Sequence, residues 1–261
     1  MPTTTPPATS PTRAPGAGGP PRIAATTPRR AALVAGAGYL MIFVLAIFAN
    51  FVVRNGLVDP DDARATLDNI AGSETLFRLG LVAFLAVFVV DVAVAWALYV
   101  LFKAVSQELS LLAAWFRLVY TAFLGVGLVF FFVVLSLVSG ADHLAAFDRG
   151  ELASHVTLSL DAFNYAWLIG LVAFGIHLAL LGYLVLASRA APRALGVLLL
   201  VAGAAYVVDT LANALLSGYA DHADLFLMMV AVPSVVAEMG LTVWLLARAG
   251  KPGHALAGHV V

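Results

Sequence analysis

The chain of 261 residues is 62% hydrophobic and only 11% charged, whereas soluble domains are roughly 45 to 50% apolar and about 25% charged. This composition excludes a free soluble enzyme, and the mean hydropathy of +0.98 agrees. A net charge of −1 without a long basic segment excludes a nucleic-acid partner bound through a basic face. The lack of cysteine removes disulfides, thiol nucleophiles and Cys-ligated metal sites. The sequence therefore predicts a multi-pass membrane protein.

The N-terminal segment, residues 1–30, holds eight of the 12 prolines and four arginines without an acidic residue. Such a segment cannot bury enough apolar surface to fold, so we expect a disordered basic tail. The apolar run that follows is too long for the hydrophobic region of a signal peptide and is interpreted as a membrane anchor. Residues 31–248 form the predicted transmembrane domain, and residues 249–261 form a short cytoplasmic tail.

Six apolar stretches are each long enough to cross a hydrocarbon core of about 30 Å as a helix. They comprise residues 31–53, 76–102, 109–138, 156–187, 194–217 and 225–247. They are continuously apolar, whereas the strands of a membrane barrel alternate every second residue, so helices are predicted. We expect an all-α fold, a polytopic transmembrane bundle of six spans. Between the first two spans, Pro60 and the acids that follow it predict a short surface helix within residues 59–73.

The charges between the spans predict the orientation. The side that carries the N-terminus has nine of the 14 basic residues. The opposite side has three basic residues, Arg54, Arg64 and Arg149, together with ten acids. Because cytoplasmic loops carry an excess of Lys and Arg, we predict that both termini are cytoplasmic and that the protein is integral to the plasma membrane.

Four charged residues lie deep in the predicted spans, where each costs about 2.5 to 3.5 kcal/mol to insert. They are Asp91, Arg117, Asp209 and Glu238. Other polar side chains share their helix faces: Tyr206 and Asn213 flank Asp209 at three- and four-residue spacing. On the sixth span, Glu238 lies four residues from both Ser234 and Thr242. We expect these polar faces to converge inside the bundle.

His177 lies among small apolar residues, where a lone histidine is more often a helix contact than a metal ligand. The sequence has neither HExxH nor ExxH spacing around it. We therefore predict no metal site, and no cofactor is predicted.

The deep polar residues have two interpretations. In the first they hold helices together: Arg117 pairs with Asp91 or Glu238, and the remaining acids are protonated. In the second they line a cavity that moves protons or holds a polar head group. The predicted binding residues are then Asp91, Arg117, His177, Tyr206, Asp209, Asn213 and Glu238.

Five phrases of the sequence resemble a bacterial family of six-span membrane proteins known only as a domain of unknown function. They are DVAVAWALY at 91–99, LLAAWFRLV at 111–119, GLVAFGIHLALLGY at 170–183, YVVDT at 206–210 and EMGLTVWLL at 238–246. The resemblance covers about residues 31–248 and is specific only in combination. It implies a fold and no activity.

Three functions remain open from the sequence. The first is a protein that binds or transports a small molecule or lipid through the polar cavity. The second is an intramembrane acid/base enzyme, cyclase-like, in which Asp91, Asp209 or Glu238 protonates a lipid or isoprenoid substrate. The third is a structural or accessory subunit. Whether the protein is an enzyme, and its oligomeric state, stay open; the expected partners are membrane lipids and a small-molecule or lipid ligand.

Overall fold

The computed structural model describes residues 26–251, and within that range the chain folds into helices and forms no strand. Six of the helices are long and apolar enough to cross a membrane, which confirms the all-α class and the six spans. Residues 1–25 and 252–261, which hold most of the two predicted tails, lie outside the described residues. Those tails stay predictions.

Seven helices carry the fold. They are α1 Pro28–Leu57, α2 Ala63–Gly72, α3 Glu74–Phe102, α4 Gln107–Val138, α5 Arg149–Ser188, α6 Arg193–Leu215 and α7 Ala223–Ala247. Helix α1 widens into a π-helix over Phe48–Arg54 before its last turn. Two short 3₁₀ turns, Asp142–Leu144 and Tyr219–His222, lie in the connections before α5 and α7.

Caps explain why some helices begin earlier than the apolar stretches predict. Helix α1 begins at Pro28, within the segment assigned to the tail, because proline fits the first turn of a helix and Thr27 caps it. Helix α5 begins at Arg149 because Asp148 and Glu151 form a reciprocal capping box. Hydropathy does not detect such polar first turns.

The short helix predicted between the first two spans is present as α2. It begins at Ala63 because the Asp62 carboxylate accepts the backbone N–H groups of Arg64 and Ala65 at 2.8 and 2.9 Å. Pro60 therefore precedes the helix. The buried face of α2, which includes Ile70, packs against α5.

The six long helices form a closed ring. Each packs against the next long helix in chain order, and α7 returns to α1. Because the number of spans is even, α1 begins and α7 ends on the same side of the bundle, which we name the termini side. The cytoplasmic location of that side stays a prediction.

Helices α5 and α6 are in direct backbone contact through two pairs of glycines. A Cβ atom on Gly175 would lie 2.6 Å from the carbonyl oxygen of Gly203, and one on Gly182 would lie 2.7 Å from that of Gly196. Small residues allow such close approach in membrane bundles, where packing drives helix association. These contacts fix α5 and α6 as one unit.

Helices α6 and α7 are packed more tightly on the termini side than on the opposite side. The buried residues of α6 lie between Leu195 and Ala205, and those of α7 lie between Ser234 and Leu245, so the opposite-side halves of both helices contribute none. On the termini side, the Arg29 guanidinium at the start of α1 donates to three carbonyls near the end of α7, at 2.5 to 3.1 Å. It satisfies carbonyls that the helix end leaves unpaired and complements the helix dipole.

Candidate functional site

An ion pair between α3 and α4 lies at the centre of the bundle. Arg117 donates from Nε to Asp91 Oδ1 at 2.9 Å and from Nη2 to the same oxygen at 2.5 Å. Both side chains are 1% exposed. The sequence left Asp91 and Glu238 open as partners of Arg117, and the structure pairs it with Asp91. Thr121, one turn along α4, donates its hydroxyl to the other carboxylate oxygen.

The third nitrogen of the guanidinium, Nη1, contacts residues of α1 and α5. Arg117 Nη1 donates to the Tyr39 hydroxyl at 2.7 Å and lies 3.2 Å from His177 Nε2. The guanidinium carbon also lies 4.6 Å from the centre of the Tyr39 ring and 5.5 Å from that of Phe174, where the ring faces attract a cation. Arg117 thus joins four helices of the ring.

The contacts of His177 assign its tautomer. Its Nδ1 lies 2.8 Å from the carbonyl oxygen of Ala113, which only accepts hydrogen bonds, so Nδ1 carries the hydrogen. Its Nε2 faces the guanidinium of Arg117, which only donates, so Nε2 presents its lone pair. His177 is therefore a neutral acceptor that orients Arg117, and both of its nitrogens are engaged.

A cavity of about 640 Å³ lies above this cluster, on the side away from the termini. All six spans contribute to its lining, with Asp91 and Arg117 at its deep end. Phe51 on α1 and Leu227 on α7 line it and are 67% and 62% exposed, so the cavity is open between these helices. The cavity exists because the halves of α6 and α7 away from the termini contribute no buried residues to the bundle.

Two further acids predicted from the sequence lie on the cavity wall. Asp209 accepts a hydrogen bond from the Tyr219 hydroxyl at 2.8 Å. The Thr242 hydroxyl donates a hydrogen bond to the backbone carbonyl of Glu238 at 2.7 Å, and the Glu238 side chain takes no part in it. Within residues 26–251 no hydrogen bond or ion pair reaches the Glu238 carboxylate. Ser234, one turn before it, lines the same cavity, is 4% exposed and has a hydroxyl without a hydrogen-bond partner.

The remaining predicted residues separate into two groups. Tyr206 lies on the cavity wall, edge-on to Phe174 with ring centres 5.4 Å apart. His177 lies behind Arg117 and does not line the cavity, and neither does Asn213, which lies near the end of α6. The described residues include no group of three or more His, Asp and Glu side chains that could hold a metal ion.

Arg54, counted from the sequence among the charges between the spans, lies within a helix. The structure places Arg54 in the π-helical part of α1, where it donates to Asn50 at 3.0 Å and to Asn164 on α5, and lies 5.0 Å from the centre of the Phe163 ring. The helix continues past the apolar run because these amides replace water as partners. The four-residue spacing of Asn50 and Arg54 is the signal that could have indicated it.

Tyr39 is the residue of the central cluster that sequence reasoning missed. It is the only polar group on its part of α1, with Ala35 and Gly36 one turn before it, and so belongs to no polar stripe. Its 3% exposure and its bond to Arg117 become visible only when α1 packs on α3.

Comparison with known proteins finds a relative and a family, both without an assigned function. An uncharacterized protein from Archaeoglobus fulgidus is 32% identical over 146 residues, which cover 56% of this chain and 73% of the relative. That relative is archaeal, so the bacterial source expected from the resemblance is not confirmed. No solved structure matches the chain. The family described as a domain of unknown function, DUF4386, matches residues 34–249, and the chain belongs to it.

Proposed function

We propose that this protein binds an amphipathic small molecule or lipid in the cavity that the six spans line, within the plasma membrane. The observation that carries the proposal is the cavity itself. Its volume of about 640 Å³ falls within the roughly 300 to 1,000 Å³ of small-molecule sites. Its lining combines apolar side chains with a few polar groups at one end, which is typical of such sites.

The packing supports entry from the side opposite the termini. The cavity is open where Phe51 and Leu227 are exposed, whereas the Arg29 contacts hold α1 against α7 on the termini side. Binding requires only this one conformation of the bundle, which is open on the side opposite the termini. Transport would need a second arrangement, in which the Arg29 contacts break and the termini side opens.

Native mass spectrometry of the full chain, released from nanodiscs made of its host membrane, tests binding. Ala231→Trp fills the cavity from α7, and Val236→Trp adds the same ring on the exposed face of the same helix as a control. We expect a bound small molecule or lipid on the wild type and on the control, and none on Ala231→Trp. No bound mass on the wild type, or equal occupancy in all three proteins, contradicts the proposal.

An acid/base enzyme acting on a lipid or isoprenoid is the second candidate function. Glu238 favours it, because a carboxyl group without a hydrogen bond faces an apolar cavity there. Asp91 suits this role less well, since it accepts three hydrogen bonds as the anion of an ion pair. Lipid and isoprenoid profiles of a strain that carries Glu238→Gln separate the two functions: accumulation of a precursor supports the enzyme, and unchanged pools support binding alone.

A further inference from the structure

We propose that the ligand of this cavity is an amphipathic organic cation, an amine or quaternary ammonium on a bulky apolar body. This inference rests on the proposed binding function and adds the chemical class of the ligand. Three independent features of the cavity carry it: its unbalanced carboxylates, its aromatic wall and an unpaired buried hydroxyl.

The charges on the cavity wall are unbalanced. Arg117 is the one basic residue in the lining, and Asp91 already neutralises it at 2.5 Å. Two more carboxyl groups, Asp209 and Glu238, face the cavity without a basic partner in the described chain. Arg54 lies behind Asn50 and is not part of the lining. A carboxylate away from water is costly unless it is paired, and a bound cation would supply the missing charge.

The wall of the cavity is rich in aromatic rings. Eight of its 24 lining residues are Phe, Tyr or Trp. Arg117 takes the faces of Tyr39 and Phe174 at the deep end, while Trp167, Tyr206 and others remain along the wall. Aromatic faces attract cations and account for the recognition of quaternary ammonium groups, especially where water is excluded.

Ser234 indicates where the cationic group lies. Its buried hydroxyl lies near that of Tyr206 but makes no hydrogen bond of ordinary geometry, although buried polar groups are almost always hydrogen bonded. The four-residue spacing places it on the same face of α7 as Glu238, and both line the cavity. A protonated amine at this point would neutralise Glu238 and donate a hydrogen bond to Ser234, whereas a quaternary ammonium would supply only the positive charge.

The remaining lining argues for a bulky body and against a small inorganic ion. Ile42, Val87, Leu171 and Val230 are among the aliphatic side chains of the wall. Such a surface gains free energy by burying apolar area and offers nothing to a hydrated metal ion. The expected ligand is therefore a lipophilic cation.

Two probes of the same shape and opposite charge test the ligand class: tetraphenylphosphonium and tetraphenylborate. Radiolabelled forms are equilibrated with the full chain in phosphatidylcholine nanodiscs, and specific binding is the part that Ala231→Trp abolishes. We expect specific binding of the cation to be at least about tenfold tighter than that of the anion. Glu238→Gln should weaken binding of the cation about tenfold without weakening that of the anion.

Asp224→Asn is the matched control, because it removes a carboxylate from the first turn of α7, outside the cavity. It should leave binding of the cation unchanged. If Glu238→Gln does not fold, Asp209→Asn replaces it, since asparagine keeps the oxygen that accepts the Tyr219 hydroxyl. Equal or tighter binding of tetraphenylborate, or binding of the cation that neither variant changes, overturns the assignment.

A neutral probe of similar shape, triphenylmethanol, separates the two levels of proposal. Specific binding of triphenylmethanol without a preference for the cation would overturn the ligand class and leave the binding function standing. If none of the three probes shows binding that Ala231→Trp abolishes, the ligand class is overturned, and the mass spectrometry of the wild type and Ala231→Trp decides whether the binding function stands.

Discussion

Replacing Asp91 by asparagine is the sharpest perturbation of the central cluster. The change keeps the size of the side chain and removes the negative charge that Arg117 faces at 2.5 Å. The guanidinium would then keep its positive charge at a site where it is 1% exposed. Removal of one partner of a buried ion pair is far more harmful than removal of both, because the other charge stays buried without compensation.

The magnitude follows from the contacts. A broken buried pair lowers the free energy of unfolding by about 3 to 5 kcal/mol. The double variant, Asp91→Asn with Arg117→Gln, removes both charges of the pair and loses mainly the bonds from Arg117 to Tyr39 and His177. Bonds between helices in a membrane are worth about 0.6 kcal/mol each, so the double variant should lose about 1 kcal/mol. We therefore expect the double variant to be about 2 to 4 kcal/mol more stable than Asp91→Asn.

The measurement is reversible unfolding in mixed micelles, in which the fraction of a denaturing detergent is raised while tryptophan fluorescence and near-ultraviolet circular dichroism report tertiary structure. Glu74→Gln is the control on the same helix, since Glu74 pairs with Arg78 at 2.5 Å on the exposed surface. That pair should contribute only a few tenths of a kcal/mol. An Asp91→Asn variant within about 1 kcal/mol of the wild type, or a double variant no more stable than the single one, would refute the reasoning.

Three other predictions concern packing, the termini side and orientation. Gly175→Ala should lower the free energy of unfolding by about 1 to 3 kcal/mol, because its Cβ would lie 2.6 Å from a carbonyl oxygen of α6. In the same micelle assay Gly72→Ala, where nothing lies within 4 Å, should be neutral or stabilising. Arg29→Gln should speed hydrogen exchange in the last turn of α7 and leave α3 unchanged, since three contacts to carbonyls are lost. The chain has no cysteine, so an impermeant maleimide added to intact cells should label Gly56→Cys, and label Lys103→Cys only after lysis, if the termini are cytoplasmic.

The sequence was most informative where one physical property decides the outcome. Continuous apolar runs indicated all six spans because only helices satisfy their own backbone in lipid. The acids after Pro60 indicated α2 because a carboxylate caps a helix start. Four deep charges and polar faces on two spans indicated a shared interior, and Asp91 and Arg117 do meet there.

Residues that depend on packing between distant segments could not be predicted in the same way. The choice of Asp91 over Glu238 as the partner of Arg117 depends on the rotation of α3 against α4. Asn213 continues the polar stripe of Asp209, yet α6 ends two residues later, and the cavity lining does not include it. Hydropathy identifies a span but gives neither its rotation nor its last turn, where these contacts form.

Hydrogen bonding separates the two interpretations that the sequence left open. Every side-chain nitrogen and oxygen of Asp91, Arg117 and His177 has a hydrogen-bond partner among the described residues. Helix association therefore accounts for these three residues without a ligand. Ser234 and Glu238 differ, because one hydroxyl and one carboxylate face the cavity without a partner. Leaving a polar group without a hydrogen bond inside a bilayer costs free energy, and apolar packing does not compensate for that cost. A role in binding is therefore to be sought at Glu238 and Ser234, on the wall of α7, rather than at the ion pair beneath them.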